Sequence, residues 1–397
     1  MRGASWLRET WIVLALGFRN AFVRPMLPVI VIIGFVAVVL VLVSVLSIGR
    51  GLSNTYANTG SPDVAMVLSS GSFSEGVSHL TEADVQALGS EAGVAQTARG
   101  PVVSPELVTT VEIPKRGSDV LSNVIMRGVT AAAFRVHSKL HIIAGRMFTP
   151  GIHEIIVGRQ AAREYQSLAL GSKLRSGNDT WTVVGIFAAG GSVHESEIWT
   201  DVAGLQTAFH MGDNYSSAYV KLVSPPAYAA FSTAVKKDPR LKVQVYREKD
   251  FYSDFGAGAS QIISIAGVAI AILMALGAII GAVNLMYTHL AARIGEMAML
   301  RAVGFRRIAV LDAVLLEGLV FGLIGGVVGG GIAYLVFNGY QAGTIVGAVT
   351  QVDFQFAVTG GLLIGGIVFA LIMGFIGGLF PAVRAARLPV AKALREA

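Results

Sequence analysis

Residues 27–48 read LPVIVIIGFVAVVLVLVSVLSI, an apolar run without a single charged side chain. A helix rises about 1.5 Å per residue, so roughly 20 such residues cross the ~30 Å hydrocarbon core of a bilayer. Three further runs pass the same test: Ile262–Tyr287, Val314–Phe337 and Gly360–Phe380. Helices buried inside soluble proteins rarely run this far with so little charge. The composition, 53% hydrophobic and 14% charged, agrees with a membrane protein. The first run starts too far into the chain and is too long for a cleaved signal peptide, and it reads as a signal anchor.

Orientation follows from the short basic segments. Arg2, Arg8, Arg19 and Arg24 precede the first run. Arg293, Arg301, Arg306 and Arg307 lie between the second and third, and Arg384, Arg387, Lys392 and Arg395 follow the fourth. The other short loop, 338–356, holds no Lys or Arg. The positive-inside rule then puts both termini and the loop 288–309 in the cytoplasm. The expected fold is an integral membrane α-helical protein, one span plus three, with a large mixed α/β extracytoplasmic domain inserted between the first two spans.

The boundaries read 1–26 for an interfacial amphipathic helix and 27–48, 261–287, 310–337 and 357–380 for the spans. The outer domain with its stalks takes 49–260, a short outer loop 338–356, and a cytoplasmic tail 381–397. Residues Gly49–Ser260 carry 19 basic and 19 acidic side chains, so the net charge of +6 comes from the cytoplasmic edges, where anionic lipid lies. A nucleic-acid partner is not needed to explain it. With no cysteine in the chain, the outer domain must rely on its own core, which about 210 residues can supply.

Within the outer domain, strand-like runs occur at 64–68, 107–113, 154–157, 180–187, 197–200 and 218–222. Thr81 and Asp84 have the spacing of a helix start, and a second helix is expected over 227–236. Residues 47–58 and 249–260 are stalks. Ahead of the first span, Leu7, Trp11, Leu14, Phe18 and Phe22 form an apolar stripe near helical period, expected along the inner leaflet.

The spans are rich in small residues at four-residue spacing: Gly322, Gly326 and Gly330 in the third, Gly366, Ala370, Gly374 and Gly378 in the fourth, and Gly277 with Gly281 in the second. Gly325 and Gly329 lie on a neighbouring face of the third. Such spacing either lets helix backbones approach closely in a tight three-helix bundle, able to dimerise or slide, or reflects a lipid-facing tolerance for glycine. Glu317 lies inside the third run, where an unpaired carboxylate costs a few kcal/mol. It is either a helix-contact or switch residue or a side chain reaching the headgroups.

Catalytic motifs are missing. There is no Gly-Lys dipeptide and hence no P-loop, no H-E-x-x-H and no G-x-S-x-G. The seven histidines are scattered, and a metal site from His137, His141 and His153 is not expected. No cofactor and no enzymatic activity of the chain itself are expected.

The informative segment is 292–308, ARIGEMAMLRAVGFRRI. At helical spacing Arg293, Glu296 and Leu300 share a side, with Met297 and Arg301 beside them, and Gly304 stops the helix. On composition this is either a cytoplasmic knob for a partner's groove or an ordinary positive-inside connector. The same segment, followed by Leu315–Gly318 and Gly322–Gly326, closely resembles the MacB-, LolC/LolE- and FtsX-type ABC transporter permeases, the mechanotransmission family. The tail 380–395 is similar to the end of that family's domain. Ala144–Phe148, Ile156–Gly158, Leu170–Gly171 and Trp181–Ile186 resemble its MacB-type outer module.

The resemblance implies a membrane subunit of a bacterial inner-membrane exporter that docks a cytoplasmic ABC ATPase dimer, which binds the ATP. Arg293, Glu296, Met297, Leu300, Arg301 and Gly304 occupy the positions of the family's coupling helix. A second permease copy and a periplasmic adaptor protein are implied partners. MacB itself carries a fused nucleotide-binding domain; the stretch before Leu27 is too short for one, so a separate ATPase is expected. Lipoprotein release in the LolC/LolE manner, or FtsX-like signalling to a cell-wall hydrolase, are the alternatives.

Overall fold

The computed structural model describes residues 9–15, 26–118, 121–346 and 350–387. Four helices among them are long and apolar enough to cross a membrane: Met26–Ala57, Glu248–Ala291, Arg307–Phe337 and Gly360–Arg387. A mixed α/β domain lies between the first and second, the one-plus-three order read from the sequence. The chain divides into a membrane unit (1–50, 261–340 and 356–397) and an outer unit (51–260 and 341–355).

Both expected stalks are helical: the first spanning helix continues to Ala57, and the second begins at Glu248. The second helix has 44 residues, about 66 Å at 1.5 Å per residue, far beyond the thickness of a bilayer core. The fourth, expected to end at Phe380, runs through Pro381 to Arg387. Pro381 lacks an N–H, but Ala382 and Ala385 beyond it are fully buried against Met286, Leu290 and Val310, and that packing sustains the helix. Residues 9–15 are helical. The rest of the expected amphipathic helix, and the tail beyond 387, lie outside the described residues.

Small residues govern the membrane unit. A Cβ on Gly322 would lie 2.5 Å from the Ala370 carbonyl oxygen, one on Gly374 would collide with the Gly318 carbonyl, and one on Gly326 would lie 2.9 Å from the Ile367 Cα. Gly330 meets Leu363 at 3.3 Å, and Gly378 leaves an ordinary 3.6 Å to the Val314 carbonyl. On the neighbouring face, Gly325 and Gly329 admit Phe35 and Val36 of the first helix. Gly277 and Gly281 meet nothing within 4 Å, so these two glycines take no part in the seam.

The outer unit is built on β1 (Val64–Ser69), β2 (Gln96–Thr97), β3 (Gly100–Pro101), β4 (Val103–Pro114), β5 (Leu121–Val129) and β6 (His141–Gly145). There follow β7 (Glu154–Gly158), β8 (Lys173–Ser176), β9 (Asp179–Ala188), β10 (Ile198–Asp201), β11 (Ser217–Lys221) and β12 (Val243–Arg247). One mixed sheet runs β12-β1-β11-β4-β5-β10-β7-β9-β6, with β8 on β9. Only β5–β10 and β7–β9 pair in parallel along this path. Period-two burial explains β9, whose Trp181, Val183 and Phe187 enter the core. Thr81 caps its helix in a reciprocal box with Asp84, and the second helix covers Ala227–Lys237.

The segment 338–356 is more than the short loop expected. It contains a hairpin, β13 (Gln341–Val346) and β14 (Thr350–Gln355), whose strands belong to the outer unit. Val352, Asp353 and Phe354 are buried there, and the Asp353 N–H donates to Ser196 Oγ at 3.0 Å. Neither Asp353 carboxylate oxygen has a hydrogen-bond partner. Burial, and then Glu164, push its pKa up to about 7.

Two outcomes follow. Gly374→Val should sharply lower the thermal midpoint and monodispersity of the purified chain in detergent, whereas Gly277→Ala should leave both unchanged. For Asp353, the folded carboxyl keeps its proton to about pH 7, while the unfolded chain releases it near pH 4. Stability from this group is therefore present below that window and is lost as pH rises through it. Thermal melts from about pH 4 to pH 8 should show that decline, and Asp353→Asn should flatten it.

Candidate functional site

The loop helix Ile294–Ala302 sits between the second and third spans, and Gly304 ends it at φ +109°, a conformation that suits glycine. Phe305 N–H closes on the Leu300 carbonyl at 3.1 Å. The helix does not present all the residues assigned to it. Arg293 and Met297 turn inward: Met297 packs with Leu290, Val310 and Ala382, and Arg293 is 5% exposed. Arg301 Nη1 donates to the Ala386 carbonyl at 3.1 Å.

The outward face is Glu296, Met299 and Val303, with Leu300 half-buried beside them. Met299 and Val303 are 63% and 78% exposed, and sequence reading passed over both. Their helical spacing, Met299 three residues after Glu296 and Val303 four after Met299, was the available signal. Exposed Arg306, Arg307, Arg384 and Arg387 complete this end of the membrane unit.

Arg293 has a second task. Its Nη1 lies 3.7 Å from Glu317 Oε2 and 3.2 Å from His289 Nε2. His289 Nε2 also stands 3.1 Å from Glu317 Oε1, with no hydrogen bond made by that oxygen. Glu317 is thus a buried carboxylate countered by Arg293, joining the second helix, the loop helix and the third. It is a helix-contact residue rather than one reaching for the headgroups.

A second polar centre lies inside the outer unit. Arg127 on β5 is fully buried between β4 and β10. It donates to Glu197 at 2.9 and 3.0 Å, to Glu75 at 2.8 and 3.0 Å, and to Glu106 at 3.0 Å. Glu106 also takes a hydrogen bond of 2.9 Å with His137 Nε2, and Glu197 one of 3.2 Å with His194 Nδ1. Burial alone would raise the Glu197 carboxyl, yet Arg127 and His194 hold it well below the usual carboxylate range. Glu106 is likewise lowered against its burial, by His137 and Arg127. Sequence reading missed this cluster; its one trace was a charged residue, Arg127, closing the apolar run Val124–Met126.

His137, His141 and His153 have different surroundings. His153 packs on Trp181 near Asp179, and His141 bonds the Lys139 carbonyl. His137, however, is joined by His194, their ring centroids 5.0 Å apart.

The family profile of the MacB-like periplasmic core domain matches residues 29–238 of the 397, and that of the FtsX-like permease C-terminal region matches 268–390. The chain belongs to the MacB/FtsX-type ABC transporter permeases. It is a membrane protein with a periplasmic-type domain between its first two spans. The periplasmic region of MacB from Actinobacillus actinomycetemcomitans is similar over 50% of this chain and 94% of its own, at 13% identity and TM-score 0.37. The extracellular domain of the noncanonic ABC-type transporter YknZ from Gram-positive bacteria is similar over 46% and 99%, at 20% identity and TM-score 0.35. A domain of a putative permease from Porphyromonas gingivalis gives 15% identity over 46% and 85%, at TM-score 0.29. A comparison with curated protein sequences finds no match.

Removing the permease's central cation strands three carboxylates, so Arg127→Ala should destabilise the outer unit by about 3–5 kcal/mol. Arg127→Lys should not restore it, because an ammonium cannot make two bidentate pairs. Denaturant unfolding followed by the fluorescence of buried Trp181 and Trp199 measures both.

Proposed function

We propose that this permease is the membrane subunit of an exporter in which a separate cytoplasmic ATPase dimer docks on the loop helix Ile294–Ala302. Nucleotide-driven closure of that dimer moves the spanning helices, and the outer unit changes shape in response. The substrate side is the periplasm or outer leaflet, both termini are cytoplasmic, and the membrane is the bacterial inner membrane. A second permease copy and a periplasmic adaptor complete the assembly.

The observation that carries this reading is the exposed ridge of Glu296, Met299 and Val303, with Leu300 half-buried beside it. Two apolar side chains at this spacing with a carboxylate beside them suit a partner's groove, whereas a plain connector has no reason to expose them. Family membership supports an ATPase as the partner. The two long helices support transmission of motion, since each passes without a break from the membrane unit into the outer one. Unbroken hydrogen-bonded helices resist bending better than loops do, so displacement at one end reaches the other.

The ridge can be altered without touching the core. Met299→Ala and Val303→Ala should each weaken co-purification of the ATPase about tenfold or more, and Glu296→Lys with Leu300→Ala should abolish it, with helicity and thermal midpoint unchanged. Full ATPase binding by the combined variant would overturn the docking assignment.

A further inference from the structure

The buried cluster of the outer unit leaves unused valences, all at one place. His137, His194 and Glu248 are 8%, 4% and 1% exposed, and one ligand atom from each lies within 4.8 Å of the others. His137 spends Nε2 on Glu106, and its Nδ1 stands 3.6 Å from Glu248 Oε1, too far for a hydrogen bond. His194 spends Nδ1 on Glu197, and its Nε2 has no partner. Glu248 Oε2 accepts from the Ser61 N–H at 2.8 Å, while Oε1 has no hydrogen-bond partner. These groups face a cavity of about 30 Å³, lined also by Asn58, Lys139 and Ser192, and the buried Ser192 Oγ is unpartnered too. That volume holds one ion or one water.

We propose that His137 Nδ1, His194 Nε2 and Glu248 Oε1 form a three-ligand site for a divalent transition metal of the Zn²⁺ class, its fourth position open to the cavity. Two imidazoles and one carboxylate are an ordinary ligand set for that class. Each ring is oriented by a carboxylate on its far nitrogen, so Glu106 and Glu197 fix the tautomers that leave a lone pair toward the cavity. A tetrahedral ion with bonds near 2.1 Å would draw the ligand atoms to about 3.4 Å apart, a modest closure by side-chain rotation.

The unpartnered lone pair of His194 Nε2 is one that an ion would use. The site encloses the first residue of the second spanning helix, so a metal there fastens that helix end inside the outer unit.

The proposal is independent of ATPase docking and is tested on the full chain in detergent. After chelation and dialysis, Co²⁺ should bind at one per chain with a visible d–d spectrum and raise the thermal midpoint, and Zn²⁺ should displace it. Glu248→Gln, which keeps an acceptor for Ser61, and His194→Gln should each weaken Co²⁺ binding more than about tenfold. The double variant His141→Ala, His153→Ala should bind as the parent does. Absence of stoichiometric Co²⁺ binding to the parent chain overturns the proposal, even where a variant fails to fold. So does unaltered binding by a folded Glu248→Gln chain, or loss of binding in the double variant.

Discussion

Between Gly318 and Gly374 the backbones of the third and fourth spanning helices come closer than any side chain permits. Lipid tails are as apolar as leucine, so no hydrophobic gain drives helices together in a bilayer; close van der Waals packing does. The glycine and alanine seam from 318 to 326 supplies that packing, and Gly325 and Gly329 extend it to the first helix. The loop helix depends on this arrangement. Its inward residues, Arg293 and Met297, lie against side chains of the bundle, and only then is a ridge left facing outward.

The outer unit rests on a different interaction, a guanidinium enclosed by carboxylates. A buried ion pair adds little net stability against an apolar replacement, but removing one member of it is severe. Arg127 therefore acts as a specificity device. It joins a turn at Glu75, strand β4 at Glu106 and the entry to β10 at Glu197, segments far apart in the chain. The histidines beyond them extend the same network to Glu248, where a spanning helix begins. Charge organisation and helix attachment thus share one interior.

The two units use their sequences differently. In the membrane unit, specificity lies in the absence of side chains, and one paired carboxylate, Glu317, joins three helices. In the outer unit it lies in a buried network of donors and acceptors around Arg127, with three unpartnered atoms, on Ser192, His194 and Glu248, beside one cavity.

Much of this was legible in the chain. The four spans, their one-plus-three order, six of the strands, the Thr81 cap and the Gly304 stop follow from local rules of hydropathy, period and capping. The small-residue repeats of the third and fourth spans already announced a seam, although Gly277 and Gly281, alike in spacing, take no part in it. What local rules do not contain is which face of a helix meets a neighbour and which distant residues share an interior. Met299 came out rather than Met297 because the bundle chose the buried side. The Asn338–Phe356 loop became a hairpin strand pair of the outer unit, and His137 joined His194 and Glu248. The sequence alone determined where backbone must be apolar, capped or broken, since those costs are felt residue by residue. Only the tertiary structure decided the ridge, the ionic centre and its cavity, since these depend on charges and surfaces brought together across dozens to a hundred or more residues of intervening chain.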